Sequence, residues 1–256
     1  MPDTMPATAS GNASHAAPEA VSAPTPASAP ATACDTTSAP DPHGRGHFIT
    51  LEGIDGCGKS TQAHKLVDFL RARGQNPLLV REPGGTNISE AIRALLLDPA
   101  NKEMTPVCEL LLLEAARAQL VDELIRPALE GGRIVICDRF YDSTFAYQYK
   151  ARGLDKTLVC AANDLGRRAL VPDLTLFFRI DPQQTKARLS RRARDRMERE
   201  GTAFQQRVAQ GYEELCAEAP ARVAAIDAAQ PIEQVFNDVI SACRAHIPEM
   251  GERTFS

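Results

Sequence analysis

A phosphate-binding pattern, Gly-x-x-x-x-Gly-Lys-Ser, occurs at Gly53, Gly58, Lys59 and Ser60. The preceding segment HFITLEG reads as a strand and the following KSTQAHKLVDFLRARG as a helix, which is the context that this pattern requires. Glycines let backbone N–H groups curl around phosphate oxygens, and the helix N-terminus adds partial positive charge. The pattern predicts a nucleoside triphosphate site, with ATP or GTP as phosphate donor. Its predicted residues are Gly53, Ile54, Asp55, Gly56, Cys57, Gly58, Lys59, Ser60 and Thr61.

Other residues that could do phosphate chemistry follow later apolar segments. Asp138 and Arg139 come directly after RIVIC, so we expect them beside the loop at the carboxyl end of a strand. Asp138 could orient Mg²⁺ or its waters together with the Ser60 hydroxyl, and Arg139 could clamp a monophosphate with two N–H groups. Arg93 offers the same guanidinium fork, but on a helix face it could equally form a surface ion pair.

Five short apolar segments must carry these residues: HFITLEG, PLLVREPGG, RIVICDRF, DLTLFFRID and RVAAIDAA. Most lack polar alternation, as expected for strands covered on both faces, and helix-like stretches separate them. The clearest of these stretches has Thr105 as a cap, Pro106 in its first turn and Gly131 at its end. We predict an α/β fold, a three-layer α/β/α P-loop domain with a five-stranded parallel sheet and a helical lid.

Composition sets the domain organisation. Residues 1–41 contain no Leu, Ile, Phe or Tyr and a single Val, so we predict a disordered Ala/Pro/Ser/Thr-rich extension over 1–45 and one domain over 46–256. This extension could be a docking arm or a dispensable segment. The whole chain has 29 basic and 33 acidic residues, of which one basic and four acidic residues lie in 1–45. The domain is therefore nearly neutral, with 28 basic and 29 acidic residues, which disfavours nucleic acid as a partner. Without a CxxC pair or a membrane-length apolar run, we expect free thiols, no membrane and a cytoplasmic protein.

Several motifs occur in a familiar order: REPGGT from Arg81, AARAQ around Arg117, DRFYDSTFAYQ from Asp138 and the basic run RRARDRMERE from Arg191. With the phosphate loop, they resemble bacterial thymidylate kinase, a P-loop family that phosphorylates dTMP. The resemblance covers about residues 48–245, nearly the whole predicted domain. It implies transfer of the γ-phosphate of ATP to dTMP with Mg²⁺ as cofactor, and it implies a homodimer.

The resemblance also implies an acceptor site. Arg117 would donate to the thymine O4, Thr144 would face the base edge, and Tyr147 would pack under the sugar. Asp55 would approach the acceptor side and the magnesium shell, and Lys59, Arg139 and Asp55 would be catalytic. The predicted dTMP-binding residues are Asp55, Glu82, Arg93, Leu113, Arg117, Arg139, Ser143, Thr144, Tyr147 and Gln148. For Tyr147, ordinary core packing is the alternative.

A lid is implied at about residues 187–200. The phosphate loop holds no Arg, so another cation must neutralise charge on the transferring phosphoryl group. The candidates for this catalytic cation, which spacing does not separate, are Arg191, Arg192, Arg194 and Arg196. A solvated basic helix with pairs such as Arg194 and Glu198 is the alternative for some of them.

One departure from the family pattern concerns the base. Leu113 stands where an aromatic ring usually stacks on thymine, and Glu114 follows it. Leu can cover a base face but lacks ring stacking, which could loosen base choice. A kinase for another nucleotide or nucleoside, or a non-catalytic nucleotide-binding paralogue, therefore stays open as an alternative.

Overall fold

The computed structural model describes residues 45–189, 196–197 and 199–248, without the side chains of 186–189. Five strands form one parallel sheet in the order β2-β3-β1-β4-β5. Their bounds are β1 Phe48–Glu52, β2 Leu78–Arg81, β3 Val135–Asp138, β4 Leu174–Arg179 and β5 Val223–Asp227. Each lies in one of the five apolar segments, so the predicted five-stranded parallel sheet is confirmed.

Helices connect consecutive strands. In chain order they are α1 Lys59–Arg71, α2 Asn87–Leu97, α3 Pro106–Leu120, α4 Arg126–Glu130, α5 Tyr141–Thr144, α6 Lys156–Arg167, α7 Pro182–Leu189, α8 Thr202–Glu218 and α9 Ile232–His246. Two π-helical segments, Val121–Ile125 and Phe145–Ala151, follow α3 and α5 without a break. As predicted, the Thr105 side chain caps α3 by accepting a hydrogen bond from the Cys108 N–H, and Pro106 is its first residue.

Both faces of the sheet are covered, which explains why its strands lack polar alternation. In β3, Ile136 belongs to one hydrophobic cluster together with Leu66 of α1. The flanking Val135 and Cys137 belong to a second cluster with Leu120 of α3. This period of two places helices on either side of the strands and makes three layers.

Strand pairing brings the chemically reactive segments to one edge. β1 pairs with β3 on one side, with Leu51 opposite Asp138, and with β4 on the other. Because the strands are parallel, the phosphate loop after β1 and the Asp138–Arg139 pair after β3 emerge side by side at their carboxyl ends.

The remaining expectations concern cysteines and membranes. Cys57, Cys108, Cys137, Cys216 and Cys243 are free thiols, as predicted. The prediction is wrong for Cys160, which is disulfide-bonded. Among the described helices, none combines the length and the apolar character that a membrane crossing needs.

Candidate active site

The phosphate loop connects β1 to α1 and has the backbone that its glycines predict. Gly56 and Gly58 have positive φ angles of 78° and 99°, a region that residues with a Cβ rarely adopt. Gly58 precedes Lys59, the first residue of α1, so the N-terminal N–H groups of the helix border the loop. Lys59 is buried, and its Nζ lies 3.9 Å from Asp55 Oδ1. The loop therefore has the glycine conformations and the adjoining helix N-terminus that a phosphate-binding turn requires.

Two oxygen-bearing side chains meet beside this loop. The Ser60 hydroxyl donates a hydrogen bond to Asp138 Oδ2, across 78 residues of sequence. A hydroxyl and a carboxylate are hard oxygen donors of the kind that Mg²⁺ prefers. The described residues hold no group of three or more His, Cys, Asp or Glu that could enclose a metal. Ser60 and Asp138 thus fit a cation that is completed by water and phosphate oxygens.

Arg139 is fixed at the centre of the site by four side chains. Its Nη2 donates to Asp55 Oδ1 at 2.6 Å and to the Tyr147 hydroxyl at 3.2 Å. Its Nη1 donates to Ser143 Oγ and to the Tyr212 hydroxyl, at 3.2 and 3.3 Å. The backbone of Arg139 has a φ of 74°, an uncommon value for a residue with a side chain. The site therefore holds this guanidinium in one orientation at some cost in backbone strain.

Behind Arg139 lies Glu52, which is fully buried at the end of β1. Its carboxylate accepts hydrogen bonds from the Phe140 N–H, the Ser143 hydroxyl and the Tyr212 hydroxyl, at 2.6, 2.6 and 2.8 Å. Burial and the nearby carboxylate of Asp142 raise the pKa of Glu52 to about 7, although Arg139 opposes the shift. Glu52 and Tyr212 belong to the site, and sequence reasoning missed both. A lone Glu inside the apolar run HFITLEG was the available signal.

Arg117 lies at the opposite end of the site, only 2 % exposed. Its Nε donates to Glu82 Oε2 at 2.7 Å and its Nη2 to Thr144 Oγ1 at 2.9 Å. Its Nη1 donates to Glu114 Oε1 at 2.5 Å and to Asn163 Oδ1 at 3.1 Å. Glu82 and Thr144, which were predicted as dTMP-binding residues, are thus in contact with Arg117, whereas Glu114 and Asn163 were not predicted as site residues.

Glu82 is a buried carboxyl group in this cluster. Burial, with smaller contributions from Glu114 and Glu52, raises its pKa to about 8 against the lowering effect of Arg117. Its Oε1 is buried and has no hydrogen-bond partner among the described residues. Burial therefore favours the protonated form of Glu82, and the contact with Arg117 favours the ionised form.

A cavity of about 380 Å³ connects the two arginine clusters. All ten predicted dTMP-binding residues line it, and so do Lys59, Ser60 and Asp138. Arg93 reaches its wall by donating from Nη1 to the Pro83 carbonyl at 2.7 Å. Lining residues that sequence reasoning missed are Arg81, Pro83, Leu96, Leu97, Glu109, Phe140 and Met197.

A second cavity, of about 520 Å³, lies on the other side of the phosphate loop. Residues 56–62 form one wall, and Ala228, Gln230, Ile232 and Val235 form the other. Gly56, Lys59 and Ser60 line both cavities. The phosphate loop therefore separates two ligand-sized spaces that meet at Lys59.

Comparisons with known proteins agree with this geometry. Residues 51–239 match the thymidylate kinase family model. A thymidylate kinase from Pseudomonas fluorescens is 48% identical over 209 residues, covering 81% of this chain and 98% of its own. One from Thermoanaerobacter sp. is 43% identical over 203 residues, covering 79% of this chain and all of its own. The crystal structure of thymidylate kinase from Ehrlichia chaffeensis superposes with a TM-score of 0.64, at 35% identity over 78% of this chain and 99% of that one.

The chain belongs to the thymidylate kinase family. Its resemblance to the family in sequence, predicted from REPGGT and the DRFYDSTFAYQ segment, is confirmed. Both segments contribute to the 380 Å³ cavity, on the side of the phosphate loop away from Ile232.

Of the four arginines predicted for the lid of this thymidylate kinase family member, only Arg196 lies among the residues that the structure describes. Arg196 donates from Nε to the Leu96 carbonyl at 2.8 Å and from Nη2 to the buried carboxylate of Glu109. Glu109 also accepts from Arg152 and from Gln148, another predicted acceptor residue. The guanidinium of Arg196 is therefore held on the cavity wall. The other predicted lid arginines, Arg191, Arg192 and Arg194, lie outside the described residues.

Proposed function

We propose that the protein transfers the γ-phosphate of ATP to dTMP, giving dTDP and ADP, with dTMP in the 380 Å³ cavity and ATP in the 520 Å³ cavity. Phosphorylation of dTMP follows from membership of the thymidylate kinase family. The observation that carries the placement is that Gly56, Lys59 and Ser60 line both cavities. Two nucleotides bound there would bring their phosphates together at the loop, as direct transfer between them requires.

Several predicted residues have contacts that support a role in binding phosphate. Lys59 and the loop N–H groups would hold the donor phosphates. Arg139, oriented by Asp55 and Tyr147, would bind the acceptor phosphate, and Arg93 would support it from the Pro83 loop. No covalent enzyme intermediate is needed, because catalysis here consists of positioning and charge stabilisation.

Mg²⁺ is part of the proposal as cofactor. Ser60 and Asp138 would hold it, partly through water, because their oxygens already meet beside Lys59. When bound, the ion supplies positive charge that neutralises the donor phosphates. Asp138 and Ser60 otherwise keep each other oriented through their hydrogen bond.

The lid would complete the site. One of Arg191, Arg192, Arg194 and Arg196 would neutralise the transferring phosphoryl group, since the loop contains no Arg. Lid closure would also exclude water and so prevent wasteful hydrolysis of ATP.

A homodimer is proposed from an exposed apolar surface. The exposed side chains are Ile88 and Leu95 on α2, Val107 and Leu111 on α3, and Leu158 and Leu165 on α6. Since α3 packs against both α2 and α6, these residues lie on three neighbouring helices. A second copy of this chain would cover them. Light scattering tests this: we expect twice 27.7 kDa, reduced to the monomer mass by Leu111→Glu but not by Lys102→Glu.

The extent of the domain is also a proposal. The Arg45 guanidinium pairs with Asp173 at 2.6 Å and the Gly46 N–H donates to the Leu129 carbonyl, which places residues 45 and 46 at the edge of the folded unit. Residues 46–256 would form the kinase domain and 1–45 a disordered extension, in a cytoplasmic protein. Limited proteolysis should cleave within 1–45 and leave the domain intact; resistance of that segment would contradict this.

ADP release tests the reaction. Purified protein is assayed with ATP and Mg²⁺ against dTMP, dUMP, dCMP and dGMP. We expect dTMP-dependent ADP release, and less with the other acceptors. Tight ATP binding with no turnover on any acceptor would indicate a regulatory paralogue instead. Fast turnover with another acceptor and none with dTMP would indicate a different kinase.

A further inference from the structure

Arg117 has five N–H groups, and four of them already have partners. Nε–H is taken by Glu82, the two N–H groups of Nη1 by Glu114 and Asn163, and one N–H of Nη2 by Thr144. The second N–H of Nη2 has no partner within the described part of the chain. Arg117 lines the 380 Å³ cavity, so this remaining N–H is the one available to a bound nucleotide.

The partners of Arg117 come from four places in the fold. Glu82 follows β2, Glu114 is one turn earlier on α3, Thr144 ends α5, and Asn163 lies on the buried face of α6. Asn163 is itself oriented, because its Nδ2 donates to the Tyr141 carbonyl at 3.3 Å. The guanidinium plane is thus held on three sides by elements that the core keeps in place.

Glu114 in turn is confined by α6. A Cβ at Gly166 would lie 2.0 Å from Glu114 Oε2, so glycine is what makes room for this carboxyl group. Glu114 is 5 % exposed and does not line the cavity. It therefore acts on a bound nucleotide only through Arg117.

We propose that Glu114, with Asn163, is a positioning residue that occupies Nη1 of Arg117 and so limits this arginine to a single hydrogen bond with the acceptor. This inference rests on the proposed dTMP site. A guanidinium with both Nη groups available could bind a phosphate bidentately or accommodate several base edges. With one N–H left, Arg117 can donate to one carbonyl oxygen of the base. A base with an amino group at that position would place a second donor against this N–H, and no hydrogen bond would form.

Base selectivity follows from this arrangement. A pyrimidine with an oxygen at position 4 accepts the remaining N–H, whereas cytosine presents an amino group there. Removing Glu114 frees one N–H of Nη1 and leaves Asn163 as its single partner, which lets the guanidinium rotate and makes the discrimination weaker. Lys59 is not among the hydrogen-bond partners of Arg117 in the described part of the chain. We therefore expect the loss of Glu114 to change acceptor binding more than the phosphoryl-transfer step.

Steady-state kinetics of Glu114→Ala with dTMP and dCMP test the inference. We expect KM for dTMP to rise about ten-fold and the ratio of kcat/KM values, dTMP over dCMP, to fall about ten-fold, with kcat for dTMP within about three-fold of the parent protein. Glu114→Gln keeps an oxygen acceptor for Nη1 and should lie nearer the parent protein. Glu123→Gln is the matched control. Glu123 is exposed, lies just beyond the end of α3 and accepts a hydrogen bond from Gln119, so its replacement should change neither KM for dTMP nor the dTMP over dCMP ratio.

Gly166→Ala provides a second test that leaves all Arg117 partners chemically intact. The added Cβ displaces the Glu114 carboxyl group, so Gly166→Ala should raise KM for dTMP and lower the selectivity for dTMP over dCMP, as Glu114→Ala does. Gly166→Ala is the deciding variant if Glu114→Ala does not fold. The inference is overturned if the folded variants keep both values within about two-fold, or if kcat falls for every acceptor while selectivity is unchanged. Calorimetry of dTMP binding separates this inference from the proposed reaction. If the parent protein binds dTMP but does not phosphorylate it, the proposed reaction is refuted. The inference about Glu114 then still requires Glu114→Ala to weaken dTMP binding.

Discussion

Arg139 Nη2 lies 2.6 Å from Asp55 Oδ1 and so joins the end of the third strand to the phosphate loop. The two residues are 84 positions apart in sequence, and the parallel pairing of β1 with β3 brings them together. This contact orients a guanidinium, with its backbone in a strained conformation, toward the cavity where the acceptor phosphate would lie.

Replacement of Arg139 by Lys keeps the charge but removes the planar fork. We expect Arg139→Lys to lower kcat/KM for dTMP by about 10²-fold, because a lysine cannot contact Asp55, Ser143 and a phosphate together. Steady-state kinetics measure this, with Arg126→Lys, at a partly exposed arginine that does not line the cavity, as control. A loss smaller than about three-fold would mean that charge alone suffices at this position.

The lid arginines are tested one at a time. Alanine at the catalytic one among Arg191, Arg192, Arg194 and Arg196 should lower kcat by roughly 10³-fold, since the loop provides no Arg of its own. Single-turnover rates with ATP and dTMP identify which one it is, and the exposed Arg71→Ala on α1 is the control. If all four substitutions leave kcat nearly unchanged, the assignment of a catalytic lid Arg is wrong.

Leu113 is partly buried and lines the acceptor cavity without an aromatic ring. Leu113→Phe should lower KM for dTMP by about two- to ten-fold, because a stacked ring adds roughly 0.5–1.5 kcal/mol. Leu113→Ala should raise KM for dTMP, because it removes the apolar contact between the side chain at position 113 and the base. The acceptor panel checks both; an unchanged KM in Leu113→Phe would show that position 113 does not cover the base.

Glu52 predicts a pH dependence of stability. Its pKa is raised from 4.5 to about 7 in the folded state, so the folded protein holds a proton that the unfolded chain releases. The unfolding free energy should therefore fall as pH rises from about 4.5 to 7, by up to about 3 kcal/mol from this group. Urea unfolding of the parent protein and Glu52→Gln measures this difference across the window.

Other groups titrate in the same pH range, so the contribution of Glu52 is measured as the difference in unfolding free energy between the parent protein and Glu52→Gln. The stability of the parent protein relative to Glu52→Gln should decrease with rising pH and level off above about 7. A constant difference between pH 4.5 and 7 would mean that Glu52 ionises like an exposed carboxyl group.

Local sequence patterns were enough to predict the phosphate loop and the sheet. Gly58, Lys59 and Ser60 are adjacent in sequence, and the loop conformation depends on glycine φ angles and on the start of α1, which are properties of a short segment. Apolar runs without alternation likewise identify strands covered on both faces. Family motifs then located all ten cavity residues predicted for dTMP.

Tertiary structure alone decided which polar side chains hold these residues in place. Tyr212 reaches Glu52 across 160 residues, and Asn163 reaches Arg117 across 46. No local period marks such partners, because a buried polar side chain is stabilised by whichever donor the fold brings opposite it. The sequence by itself thus determined the loop, the strands and the family. Packing of α6 and α8 against the site decided how Arg117 and Arg139 are oriented.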